Sequence, residues 1–231
     1  MSLYAIGDLH LSLGCDKPMD IFSGWDNYVE KLEHNWNETV TDEDTVVVVG
    51  DVSWAMKLEH AYQDFDFINN RLNGRKIFIK GNHDYWWSTA AKMQNYIKSV
   101  GFDKIEILSN NSFLVSGVSV CGTRGWINDM SEAADVKLLN REAGRLDMSV
   151  QAGIRLGGEL IAFIHYPPVF SNEKNYYILE VLQKYGIKKC YYGHVHGKMG
   201  FQRARQGLID GIEYTMISAD YVDFTPQLVK K

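Results

Sequence analysis

Cysteine is scarce in this chain: Cys15, Cys121 and Cys190 are far apart, and no Cys-x-x-Cys pair exists. An odd, unpaired set in a chain of this size argues against a disulfide framework and for reduced thiols. Long apolar runs are missing too. Nothing approaches the roughly 18 consecutive apolar residues that a membrane helix needs. The opening residues MSLYAIGDLH lack a basic stretch followed by a long apolar segment, so no secretory signal is expected. Nor is there a basic patch or tail, and the net charge is -5. A binder that holds nucleic acid by phosphate neutralisation is therefore disfavoured. Internal repeats, low-complexity segments and linkers are absent as well. The expectation is one soluble, cytoplasmic domain spanning residues 1–231, whose 45% hydrophobic content suits a packed core.

What the chain does have is a pattern that recurs five times. A short apolar run stops, and a side chain of metal-binding type follows at once. The runs are LYAIG before Asp8-Leu-His10, VVVVG before Asp51, IFIKG before Asn82-His83-Asp84, IAFI before His165, and CYYG before His194-Val-His196. Runs this short, rich in Val, Ile and aromatics, read as strands buried on both faces. Sites in open α/β sheets form outside the carboxyl ends of strands. The pattern thus predicts two Asp, one Asn and five His on one rim, enough for two metal ions.

The first half alternates strand and helix, with helices expected at about 25–39, 58–72 and 88–100. Ser88 is read as the N-cap of the third and Gly101 as its stop. Alternation of this kind implies right-handed βαβ units and a largely parallel sheet. The second half is more strand-rich. Short strands at 105–108, 112–115 and 118–122 precede a long helix at 131–151, and Ser116-Gly117 reads as a hairpin turn. A strand at 161–165, a helix at 174–185, a strand at 189–193 and paired strands at 201–209 and 212–218 follow, the last two turning at Asp210-Gly211. These suggest a second, mixed sheet packed on the first.

The ligand types set the chemistry. Carboxylate and imidazole without thiolate suit Mn, Fe, Ni, Co or Zn. Asp51 has two oxygens and can bridge two ions, while Asn82 offers a neutral carbonyl. Two ions about 3.5–4 Å apart can clamp the attacking and leaving oxygens of a displacement at phosphorus and generate hydroxide near neutral pH. His83 is read as an acid toward the leaving group and Asp84 as the carboxylate that orients it.

In this order, Asp8-x-His10, Gly50-Asp51, Gly81-Asn82-His83-Asp84, His165 and Gly193-His194-x-His196 resemble the calcineurin-like metallophosphoesterase superfamily. The resemblance runs from Asp8 to His196. It implies an α/β fold, a four-layer α/β/β/α sandwich of two mixed sheets flanked by helices. It also implies a dinuclear site in which one ion takes Asp8, His10, Asp51 and His196, and the other Asp51, Asn82, His165 and His194. His83 and Asp84 are then the catalytic pair. Protein phosphatases of the superfamily usually carry Asp-Arg-Gly after Gly-Asp and Glu after Asn-His; this chain has Val52-Ser-Trp-Ala-Met56 and Asp84. It is more similar to the small bacterial and archaeal phosphohydrolases.

The implied activity is hydrolysis of a phosphomonoester or phosphodiester, a small molecule or nucleotide, by metal-activated hydroxide, with manganese favoured. Two alternatives stay open: a non-catalytic interaction module on the same fold, and a nuclease of the same superfamily. Arg124, between Gly122 and Gly125, is either a phosphate ligand or a surface ion pair. Trp54, Trp86, Trp87 and Trp126 lie near these blocks; Trp87 leans to the core and one or two others to a pocket rim. His34 and His60 fall on helices away from them, facing solvent or serving structure. Cys15 follows His10 closely, and the helix after Trp126 is a candidate lid. Substrate identity, native metal and oligomeric state are not written in these residues.

Overall fold

The run Thr45–Val49 sets the architecture. All of it is buried, and because strand side chains alternate, Val46 and Val48 join one hydrophobic cluster while Val47 and Val49 join another. A strand with two apolar faces needs a layer on each side. The computed structural model, which describes residues 1–126 and 133–231, supplies both.

In chain order the elements are β1 (Leu3–Ile6), α1 (Tyr28–Thr39), β2 (Thr45–Val49), a 3-10 turn (Leu58–Ala61) running into α2 (Tyr62–Arg71), β3 (Arg75–Ile79), α3 (Ala90–Ser99) and β4 (Ile105–Ile107). Then come β5 (Phe113–Val115), β6 (Val118–Thr123), α4 (Ala133–Leu156), β7 (Glu159–Ile164), β8 (Val169–Phe170), β9 (Glu173–Lys174) and α5 (Tyr176–Lys184). The chain closes with β10 (Lys189–Tyr192), α6 (Gly197–Arg203), β11 (Gly207–Ile209), β12 (Ile212–Met216) and β13 (Gln227–Lys230).

Among the described residues the strands form two large mixed sheets, ordered β13-β1-β2-β3-β4 and β11-β12-β10-β7-β6-β5, and a small β8-β9 pair. Parallel strands fill the middle of each large sheet, with antiparallel β13 on one edge of the first and antiparallel β5 and β11 on the edges of the second. The two sheets share a core in which Ala5, Val47, Ile77 and Ile79 meet Val118, Val120, Ile161 and Phe163. Outside the first sheet, Leu32, Trp36, Phe65, Ile68, Met93 and Ile97 bring α1, α2 and α3 onto Ile6, Val48 and Phe78. Outside the second, Leu146, Val150, Ile178 and Leu182 bring α4 and α5 onto Ala162, Ile164 and Tyr192. The result is the four-layer α/β/β/α sandwich. Each fully buried Val, Leu, Ile or Phe contributes roughly 1.5–3 kcal/mol, so these three clusters are the main source of stability.

Register brings the strand ends level. Ile6 pairs with Val48 and Val48 with Phe78, while Ile164 pairs with both Thr123 and Tyr192. The two rims are then tied across the sheets, because the His194 amide donates to the Asp8 carboxylate at 2.8 Å and His165 Nδ1 contacts the Val49 carbonyl at 3.0 Å.

Several boundaries depart from the sequence expectation. Helix α1 begins at Tyr28, because Trp25 turns inward and is only 3% exposed. The N-cap of α3 is Thr89, whose side chain accepts from the Lys92 amide at 3.3 Å, and not Ser88. Residues 201–203 finish α6 and are not strand. Phe201 packs its ring on Tyr221 at 5.1 Å, and the Met216 amide is met by the Gln206 side chain instead of a strand partner. The expected helix start at Ser131 lies outside the described residues. The described helix continues to Leu156 and is fixed to the second sheet. Leu139, Leu146 and Val150 are buried, and Ser149 Oγ donates to the Asn111 carbonyl at 2.6 Å while accepting from the Gly122 amide. That packing makes the described part of the helix an outer layer of the sandwich; the start of the candidate lid after Trp126 lies outside the described residues. Among the described residues no helix is long and apolar enough to cross a membrane.

Candidate metal centre

The rim loops bend unusually sharply. Asp8, His10, Asp51 and His194 all have positive φ, between 47° and 70°, a region rarely used by side-chain-bearing residues. Such strain persists where surrounding structure enforces it, and it clusters at functional sites. Here it swings successive side chains back over the strand ends. Two glycines make room. A Cβ on Gly81 would collide with the Asp51 carboxylate, and one on Gly193 with that of Asp8. Backbone amides then hold both carboxylates in place: His83 N–H donates to Asp51 Oδ1 at 2.8 Å, and His194 N–H to Asp8 Oδ2 at 2.8 Å.

The converging side chains form two groups, Asp8 with His10 and His196, and Asp51 with His165 and His194; within each, the donor atoms lie within 4.8 Å of one another. Asn82 joins the second, its Oδ1 2.7 Å from His165 Nε2. One atom lies between them. Asp51 Oδ2 is 3.7 Å from His10 Nε2 and 3.7 Å from His165 Nε2.

The donor chemistry fits cations. His165 Nδ1 faces the Val49 carbonyl at 3.0 Å and must donate there, which leaves the lone pair on Nε2. That lone pair faces the Asn82 Oδ1. His196 Nδ1 likewise contacts Asp220 Oδ1 at 2.9 Å, turning its Nε2 toward His10 Nε2 at 3.2 Å. Acceptors that converge this closely need a positive charge between them. The titration of the cluster agrees. Desolvation raises the Asp8 and Asp51 carboxyls, and it pushes His165 and His194 down to about 3. Against that desolvation, the hydrogen bond His196 donates to Asp220 raises its imidazole to about 9. Carboxyls that resist ionisation beside neutral imidazoles are groups that a bound dication stabilises in their ligating forms.

A family model described as calcineurin-like phosphoesterase matches residues 1–198. The chain belongs to that family. Its two side-chain groups are of a type that suits divalent ions. The chain is similar to an uncharacterised protein of Methanocaldococcus jannaschii, 33% identical over 88 residues, or 36% of this chain and 46% of that protein. The match thus spans under half the length of that curated relative. Among solved structures, a protein of unknown function from Aquifex aeolicus aligns with a TM-score of 0.51 at 18% identity, covering 98% of this chain and 95% of that one. A Thermus thermophilus protein aligns with a TM-score of 0.59 at 12% identity, covering 99% and 97%. These two likenesses show the shared fold.

Around the centre, one expected relationship is replaced by another. Asp84 does not orient His83. Its carboxylate accepts from the amides of Gly81 at 2.7 Å, Val52 at 2.8 Å and Asp51 at 2.9 Å, while His83 Nδ1 has no partner among the described residues. Asp84 sits beneath the Asp51 loop because that bend leaves several backbone donors pointing inward, and a buried carboxylate satisfies them together. His83 is positioned instead by Trp54, whose ring lies 4.3 Å from it and 4.9 Å from His10.

The remaining aromatics divide as follows. Trp86 is core, packed edge-on against Phe65 at 4.8 Å. Trp87 is half-buried and reaches the edge of a polar cavity. Trp126 lines an apolar cavity of about 330 Å³ that also touches Tyr166, Phe170, His194 and His196. His34 and His60 are exposed and apart from the centre. Arg124 is largely buried, stacked on Trp126 at 4.6 Å, with Glu142 at 3.7 Å. Sequence reasoning missed Asp220, Glu142 and Trp25. Asp220 stands alone after Ser218-Ala219, without a motif around it. Glu142 is an ordinary helical residue by pattern.

Proposed function

We propose that the chain is a dinuclear phosphohydrolase acting on a phosphomonoester or phosphodiester of a small molecule or nucleotide. One observation carries the two-ion reading: Asp51 Oδ2 is equidistant, at 3.7 Å, from an imidazole of each ligand group. In this reading Asp8, His10, Asp51 and His196 hold one ion, and Asp51, Asn82, His165 and His194 the other. Manganese is favoured within the set Mn, Fe, Ni, Co and Zn that imidazole and oxygen donors accept. Bound divalent ions supply Lewis-acid polarisation of phosphoryl oxygens and a water acidic enough to ionise near neutral pH.

The protein groups do the rest. His83 projects beside His10, with ring centroids 5.7 Å apart, and in this reading its imidazole passes a proton to the departing alkoxide. Trp54 keeps water off one face of both rings. Arg124 offers a guanidinium for phosphoryl oxygens. The apolar cavity beside His194 and His196 suits the organic part of a substrate, with Tyr166 and Trp126 as aromatic walls.

The test is a substrate panel of aryl phosphate, bis-aryl phosphate, cyclic nucleotides and dinucleoside polyphosphates, run with Mn and with Ni. Metal-dependent turnover of at least one supports the reading. A metal-loaded chain inert toward all four contradicts it and favours an interaction module.

A further inference from the structure

A second cavity, of about 520 Å³, opens beside the ligand rim and is lined by polar groups. Its position follows from the strands. Lys80 is the residue between β3 and the Gly81-Asn82 turn, and Arg124 follows β6, its carbonyl accepting from the Tyr166 amide at 2.9 Å directly beside His165. Arg145 reaches in from α4. The cavity therefore borders the Asn82–His165 side of the centre, whereas the aromatic cavity borders the His194–His196 side.

Charge distinguishes it. Its lining holds three cations, Lys80, Arg124 and Arg145, against one carboxylate, Glu142, a local balance of about +2 in a chain whose net charge is -5. Glu142 is fully buried and pairs with Arg145, so the surplus charge rests on Arg124 and Lys80. It is already hydrogen-bonded by Thr123 Oγ1 at 2.7 Å and Arg145 Nη1 at 2.9 Å, and Arg124 stays 3.7 Å away, beyond hydrogen-bond range. Arg124 Nε has no hydrogen-bond partner among the described residues, and no carboxylate there lies within ion-pair distance of the Lys80 ammonium. A half-buried ammonium without an ion-pair partner and a buried guanidinium N–H without an acceptor are costly, and an anion is what relieves both. Ser88, Thr89 and Ser109 add hydroxyl groups to the same wall.

We propose that this cavity is a subsite for a second phosphoryl group, so that the physiological substrate carries two phosphoryl groups and is not a simple monoester. The inference rests on the phosphohydrolase reading for the nature of its ligand. Lys80 and Arg145 would hold the non-reacting phosphoryl oxygens by charge-assisted hydrogen bonds. The organic remainder would extend across the centre toward Trp126 and Tyr166.

The experiment has two parts. Calorimetric titration of the metal-free, full-length protein with inorganic phosphate at low salt needs neither metal nor turnover, so it succeeds or fails independently of hydrolysis. Saturable binding to wild type, weakened about tenfold by Lys80→Met and by Arg145→Gln with circular dichroism unchanged, is the expected result. Arg145 is 41% exposed, so Arg145→Gln carries the test if Lys80→Met fails to fold. No saturable binding, or the same affinity in a folded variant, overturns the proposal; undiminished binding would mean that phosphate sits on the imidazoles. In the metal-loaded enzyme, a phosphoryl group borne by the substrate makes Arg145→Gln raise KM about fivefold more for an aryl diphosphate than for an aryl monophosphate. An equal rise for both means that the cavity takes free phosphate alone, and the substrate assignment fails.

Discussion

His196 Nδ1 and Asp220 Oδ1 are 2.9 Å apart, and the Gly197 amide donates to the other oxygen of the same carboxylate at 3.1 Å. Asp220 fixes which imidazole nitrogen faces the centre. Partners of this kind typically matter 10–100-fold in metal affinity. Asp220→Ala is therefore expected to weaken metal binding by about that factor while the melting temperature of the metal-free protein changes little. Metal titration followed by tryptophan fluorescence checks it, with Trp25 5.8 Å from His196 as reporter.

Removing His83 separates chemistry from ligation. His83→Ala is expected to lower kcat by about 10²–10⁴-fold on a substrate with a poor leaving group, and much less on a nitrophenyl ester. Metal content stays at the wild-type value. Full activity toward the poor leaving group would dismiss the acid role.

Asp84→Ala has a different signature. Three short hydrogen bonds to buried amides disappear, each lost partner costing about 1–3 kcal/mol. Stability and metal binding should fall together. If Asp84 oriented His83 instead, the variant would copy His83→Ala, with turnover lost and melting unchanged.

Lys76 gives a pH test far from the metals. It is fully buried, its ammonium donates to the Leu72 carbonyl, and desolvation pushes it down to about 7 from 10.5. Between those two values the unfolded chain binds more protons than the folded one, so stability rises with pH across that window. Lys76→Met should flatten the rise. Its stability relative to wild type is greatest below pH 7 and declines toward pH 10, measured by denaturant unfolding at several pH values.

The strand ends were legible because each carries its own punctuation. A buried run, a glycine and a donor residue in sequence require a strand that stops at a rim, and Val46 to Asp51 could be read that way with no partner in view. Layer order followed from the same valines, since both of their faces had to be covered. Asp220 was not legible, because its role depends on a hydrogen bond to a residue on another loop. Asp84 was misread for a related reason. Its neighbour in sequence is His83, but the groups it serves are the Asp51, Val52 and Ser53 amides. Cavities escape a one-dimensional reading altogether, since Lys80, Arg124 and Arg145 share a wall only after β3, β6 and α4 have packed.

The central claim is that two ions share Asp51. Elemental analysis of the protein purified with excess manganese, alongside Asp51→Asn treated identically, tests it most directly. The account predicts two metal ions per wild-type chain, and loss of both ions together with aryl-phosphatase activity in Asp51→Asn. One ion per fully active wild-type chain, or two ions retained in Asp51→Asn, would contradict it.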